Sequence, residues 1–134
     1  GAVTNDKIHE ALKDMHVFVY PSTWPETSCI CLMEAMSAGL VCVHSSFAGL
    51  PDTAANWTMM YPYHEDKNAH ANIFAQNLFN SVRMLKEGSL DQRLSMQKVY
   101  ANSFYTWETR AMQWDMFLNT FLQEDSNESG GVGS

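Results

Sequence analysis

His16 to Asp52 reads HVFVYPSTWPETSCICLMEAMSAGLVCVHSSFAGLPD. Its opening run, Val17-Phe18-Val19-Tyr20, offers no polar side to water, so it predicts a strand buried on both faces, which Pro21 stops. Ser22-Thr23-Trp24-Pro25 has the chemistry of a loop. Thr27 or Ser28 then caps a helix that carries Cys31, Leu32, Ala35 and Met36 inward and ends at Gly39. Leu40 to Val43 follows as a second buried strand. Strand, loop, helix and strand make a βαβ unit with parallel strands and a right-handed crossover. Ligands of such sheets bind beyond the carboxyl ends of the strands, which gathers residues 22–28 and 44–52 on one rim.

Two carboxylates stand on that rim, Glu26 before the helix and Glu34 within it, eight positions apart. Eight helical residues turn the chain about 80° past two full turns and advance it roughly 12 Å, so the pair is no close acid/base dyad. Helical side chains lean toward the amino terminus, which lets Glu34 reach back to the rim. The two carboxylates can then hold opposite ends of one elongated polar ligand. Between them the first-turn amides of Ser28, Cys29 and Ile30, unpaired and at the positive end of the helix, make a seat for phosphate.

These residues resemble the retaining glycosyltransferases of the GT-B fold, the group 1 family with the E-x7-E signature. Pro21-Ser22, Glu26, Glu34-Ala35-Met36, Gly39, Ser45, Gly49 and Pro51-Asp52 fall on its pattern over about 30 positions. Val41 stands where the family has proline, Ala48 replaces its first glycine and Asp52 its glutamate. The resemblance implies a Rossmann-like three-layer α/β/α fold with a small parallel sheet, part of a GT-B carboxyl-terminal domain. It implies that Glu26, as the catalytic-site carboxylate, contacts the donor sugar, that Glu34 binds the nucleotide ribose, and that the backbone of Thr27, Ser28 and Cys29 lies against the diphosphate. Neither a metal nor another cofactor belongs to that arrangement. The partner implied is a nucleotide-diphosphate sugar, and the transfer retains the anomeric configuration. The family's upstream strands, with their basic pair, and its acceptor-binding amino-terminal domain are not among these residues, so another part of a longer chain or a separate subunit would supply them.

The chain has 134 residues, 46% of them hydrophobic, and fits one modest domain over residues 1–123 with a polar, flexible tail over 124–134. No apolar run approaches membrane-spanning length and no signal peptide is apparent, which points to a cytoplasmic, soluble protein. A net charge of −7 argues against nucleic acid and anionic lipid as partners. Cys29, Cys31 and Cys42 read as buried thiols in a reducing compartment. His44, at the carboxyl end of the second strand, can face the rim and hydrogen-bond phosphate or sugar, whereas His9, His16, His64 and His70 lack metal-ligand spacing.

Ahead of the first strand, Thr4 or Asn5 caps a helix with Ile8, Ala11, Leu12 and Met15 on one face. Thr58 to Tyr61 predicts a third strand, and His70 to Leu85 a helix with Phe74, Leu78, Val82 and Leu85 in line, closed by Gly88. Ser89 and Gln92 form a capping box for a helix with Leu90, Leu94, Gln97 and Ala101 on one face. Trp107 to Leu122 is the most apolar helix, its stripe of Trp107, Ala111, Trp114, Leu118 and Phe121 reading as core. Without a partner domain some of its aromatics stay exposed and invite self-association. Two further readings stand beside the enzyme: a nucleotide- or sugar-binding module without transfer, and an interaction fragment that associates through this last helix.

Overall fold

The computed structural model describes residues 1–25 and 29–129. Its elements are α1 (Asn5–Leu12), β1 (Val17–Tyr20), α2 (Ile30–Ser37), β2 (Val41–Ser45), α3 (Leu50–Ala54), β3 (Met59–Tyr61), α4 (Lys67–Lys86), α5 (Asp91–Phe104) and α6 (Trp107–Ser129). The chain divides into two compact units, Gly1–Ala101 and Asn102–Ser134, where the sequence predicts one domain to residue 123.

In the first unit the three strands form a parallel sheet in the order β1-β2-β3, with Val17 opposite Val41 and Val43 opposite Met59. This is the Rossmann-like α/β arrangement that the alternating pattern predicts. Every residue of β2 is buried, as a central strand covered on both faces requires. Val41 and Val43 share a cluster with Tyr61, Leu90 and the α4 residues Ile73, Phe74 and Leu78. Alternation turns Cys42 and His44 to the opposite face, and α2 packs against β2 with Leu32, Ala35 and Met36 buried. Those three positions follow i, i+3, i+4 spacing, and Cys31 lies off the stripe and is exposed, which corrects the expectation that it points inward. β1 also departs from expectation. It pairs with β2 alone, at the sheet edge, and Val19 is 43% exposed, so an all-apolar run here is not a strand buried on both faces.

Glycine ends two helices for a shared reason. Gly39 and Gly88 take φ of +81° and +74°, the left-handed conformation in which a side chain is strained. After α2 the Leu40 N–H donates to Ala35 O and the Gly39 N–H to Met36 O, and after α4 the Ser89 N–H donates to Met84 O and the Gly88 N–H to Leu85 O. Both are Schellman caps, and they aim the chain into β2 and α5. Ser89 Oγ also donates to Met84 O, so it completes the end of α4 instead of forming the predicted capping box with Gln92. α4 begins earlier than its apolar spacing predicts, because Asp66 caps it by accepting the Asn68 N–H at 3.0 Å.

α5 ties the first unit together. Gln97, fully buried, donates from Nε2 to Leu40 O at 2.9 Å and Met36 O at 3.4 Å, joining α5 to the turn between α2 and β2. Arg93 donates to the carbonyls of Asn56, Trp57 and Thr58, which fixes the connection from α3 to β3. The predicted face of Leu90, Leu94, Gln97 and Ala101 is the one that α5 turns inward. In the second unit α6 runs on to Ser129, past the predicted end at Leu122 and through residues 124–129 that the sequence reading gives to a tail. Most of its predicted stripe is not core: Trp107 is 88% and Trp114 63% exposed and Leu118 is also open, as is Phe117 beside it, while the burial of Phe121 lies outside what is described. Thr106 Oγ1 accepts the Thr109 N–H at the start of α6, the one-turn pattern of an amino-terminal cap.

Two outcomes follow from this packing. Gln97→Ala removes both hydrogen bonds and opens a cavity, so urea denaturation should show a loss of about 2–4 kcal/mol. His44 is wholly buried, and desolvation lowers its pKa from the ordinary 6.5 despite the opposing effect of the hydrogen bond it donates to Ser45 O. The unfolded chain therefore binds the proton more readily than the folded one, so stability is full above pH 6.5 and falls as the pH drops below it. Melting curves between pH 8 and 5 should show that decline, and His44→Gln should flatten it.

Candidate functional site

The carboxyl ends of β1 and β2 lead into residues 21–29 and 46–49, as the parallel topology requires. Glu26, Thr27 and Ser28 lie outside the described residues. Of the predicted site residues, Cys29, Glu34 and His44 are described, and the fold treats each differently.

Cys29 is the residue before α2, buried, with no side-chain cap. Its N–H donates to Thr53 Oγ1 of α3 at 3.5 Å, a long contact, and Thr53 Oγ1 donates in turn to Gly49 O at 3.2 Å. One amide of the predicted phosphate seat therefore already leans on α3. Ser22, on the same rim, accepts the Trp24 N–H through its hydroxyl at 3.1 Å, a turn that follows directly from Pro21-Ser22. Trp24 is 74% exposed above it.

Glu34 sits one turn inside α2 as the single charged residue of that helix, with a side chain 25% exposed. Its Oε1 accepts a hydrogen bond from His9 Nε2 of α1 at 3.2 Å. The carboxylate makes no second hydrogen bond among the described residues. His9 is a partner that the sequence reading does not single out, since it passes over that histidine for want of metal-ligand spacing. The available signal is thin: His9 is one residue from the Ile8 face of α1, and nothing in its spacing points to a carboxylate in another helix.

His44 is a correction. The sequence reading turns its imidazole to the rim, whereas the ring is fully buried and both nitrogens are engaged inside the chain. Ser45 O can only accept, so Nδ1 at 2.9 Å carries the proton, and Nε2 accepts from the Thr58 hydroxyl at 2.6 Å. The ring offers no free nitrogen to a ligand and instead links β2 to the residue that opens β3. Alternation explains the miss, since the carboxyl end of a central strand is still inside when helices cover both faces.

Other polar groups near this edge are also committed. Tyr61 OH and His70 Nε2 share a hydrogen bond of 2.9 Å, and Ser46 N–H donates to Tyr61 O at 2.8 Å. Burial pushes the Tyr61 hydroxyl up to about 12, and burial, aided by Cys29, pushes the Cys42 thiol up to about 12, so neither ionises near neutrality. Among the described residues no group of three His, Cys, Asp or Glu side chains could hold a metal ion. A shallow cavity of about 350 Å³ is lined by Ala75, Gln76, Phe79 and Asn80 of α4, and Cys29, Glu34 and His44 are not in that lining.

The loop after β2 explains one departure from the family pattern. Ala48, where the family has glycine, takes φ +51°. Glycine holds that backbone without strain, and alanine keeps it here at a cost. Gly49 and Pro51-Asp52 then start α3, with proline in its first turn where no intrahelical N–H is needed.

Comparison with known proteins gives one finding. No curated protein and no solved structure matches the chain. No helix among the described residues is long and apolar enough to cross a membrane. The model of the family described as Glycosyl transferases group 1 matches residues 1–96, which takes in the whole sheet, both carboxylate positions and the start of α5. That is well over half of the chain, and the chain belongs to the glycosyl transferases group 1 family.

Proposed function

We propose that this chain is the donor-binding part of a retaining glycosyltransferase, which moves a sugar from a nucleotide-diphosphate sugar to a glycan or other acceptor. The observation that carries the reading is Glu34: in a chain of this family it stands in α2, eight positions after Glu26, with one oxygen held by His9 and the other without a partner among the described residues. A carboxylate so placed accepts from vicinal hydroxyls, as a ribose presents them. Glu26 clamps the donor sugar, and the backbone of Thr27, Ser28 and Cys29 receives the diphosphate at the amino end of α2. The developing charge on the leaving diphosphate is stabilised by that helix end and by basic residues from elsewhere in the full enzyme. The acceptor site belongs to an amino-terminal domain or subunit beyond these residues, so the isolated chain binds donor without turning it over.

The exposed face of α6 favours a second reading beside the first, an interaction surface. Trp107, Trp114, Phe117 and Leu118 are each at least half exposed, and a patch of that kind associates with a partner domain or a second copy. Sedimentation should show concentration-dependent association of the chain that Trp114→Asp reduces. A monomer at all concentrations removes the homo-oligomer.

Calorimetric titration with UDP, GDP, ADP and their sugars tests the donor reading. At least one should bind, and Glu34→Ala should weaken that binding by about 1–3 kcal/mol while leaving the melting temperature nearly unchanged. Equal binding by the variant removes the ribose role. In the complete enzyme, Glu26→Gln should lower turnover about 10²-fold with measurable residual activity, the signature of a positioning clamp; complete loss with a trapped glycosyl adduct would make it a nucleophile.

A further inference from the structure

We propose that His9 is a positioning residue for Glu34, an inference that rests on the donor-binding reading above. The two residues are 25 positions apart in sequence and come from different helices, α1 and α2, yet His9 Nε2 lies 3.2 Å from Glu34 Oε1. α1 buries no residue of its own, and its Ile8 and Leu12 are only half-covered. The link to Glu34 is the directional contact that this helix makes with α2.

That contact does little for the fold. The His9 side chain is 58% exposed, and an ion pair with one partner so open contributes almost nothing to stability once screened by water. Its effect falls on the carboxylate. A free glutamate carries several rotatable bonds, and freezing them on ligand binding subtracts from affinity. With Oε1 already held, Glu34 enters the complex with its rotamer chosen and its second oxygen available to a diol. A carboxylate oxygen can only accept, so His9 Nε2 carries the proton that holds it.

The charged groups near His9 on its own helix are Asp6, Lys7, Glu10 and Lys13, and on α2 the single charge is Glu34. Lys7 and Lys13 are each close in sequence to His9, yet it is the histidine that meets the carboxylate. An imidazole is short and stiff, with two side-chain torsions, and positions a partner more sharply than a lysine does.

The test is a double-mutant cycle read by calorimetry with UDP, GDP and ADP on the full 134-residue chain, with melting temperatures measured in parallel. His9→Ala should weaken the nucleotide that binds by about three- to tenfold without lowering the melting temperature. His9→Gln, which keeps a donor at similar reach, should restore affinity to within about twofold, and His9→Ala should have no further effect on top of Glu34→Ala. Parent-like affinity in His9→Ala, failure of His9→Gln to rescue, or equal loss in the Glu34→Ala background would each overturn the role of His9 and leave the donor reading standing. Binding of none of the three nucleotides by the parent would overturn the donor reading, and this inference with it. Should His9→Ala fail to fold, His9→Asn, whose shorter amide falls short of Glu34, replaces it against His9→Gln with the same outcomes.

Discussion

β2 is covered on both faces, and that burial sets the terms for every polar group it carries. A buried polar atom without a partner costs about 1–3 kcal/mol, so a histidine placed on this strand must close its hydrogen bonds inside the chain. His44 does so through Ser45 O and the Thr58 hydroxyl. Thr58 in turn is held by Arg93 from α5, so the central strand, the opening of β3 and the helix behind them form one connected set. Among the described residues two buried atoms escape the rule: Ser45 Oγ and Gln97 Oε1 have no hydrogen-bond partner there. Gln97 offsets its cost by donating twice to the turn that feeds β2.

Much of this architecture was legible in the residues. The apolar runs at 17–20 and 40–43 with a glycine-terminated helix between them determine a parallel βαβ unit, and the glycines at 39 and 88 end helices because left-handed backbone is inexpensive only for that residue. What was not legible depends on neighbours. An apolar run identifies a strand but not its place in the sheet, which is why β1 reads as central and lies at the edge. Asp66 caps α4, and Asp before a run of helix formers is a start signal, but the apolar spacing that predicts this helix begins only at His70. The helix reading of residues after Thr27 placed Glu34 on α2, but a contact to His9 across helices leaves no mark in spacing.

α6 shows the same limit from the other side. A heptad-like stripe of Trp107, Ala111, Trp114 and Leu118 states that one face of the helix is apolar; it says nothing about what covers that face. Within this chain those side chains are exposed. Periodicity therefore predicted the helix correctly and the burial of these side chains wrongly, because burial depends on what packs against a face and not on the spacing that makes the face.

The loops on either side of α3 are shaped by three residues that glycine would suit better. Ala48, Ala55 and Asn56 take φ of +51°, +48° and +66°, and each left-handed alanine costs roughly 1–2 kcal/mol relative to a relaxed backbone. Such geometry persists only where the surroundings over-determine it. Ala55 closes α3 by donating its N–H to Pro51 O, and Arg93 grips the next three carbonyls, Asn56, Trp57 and Thr58. Ala48 is bracketed by the Leu50 N–H donating to Phe47 O and by the stack of Phe47 on Tyr63 at 4.2 Å. The path of the loops beyond β2 is thus imposed from α5 and from the aromatic pair, not chosen by local preference. Thr53, which α3 turns toward the Cys29 amide, inherits its position from that constraint, so the start of α2 and the strained loop opposite it are fixed as one edge.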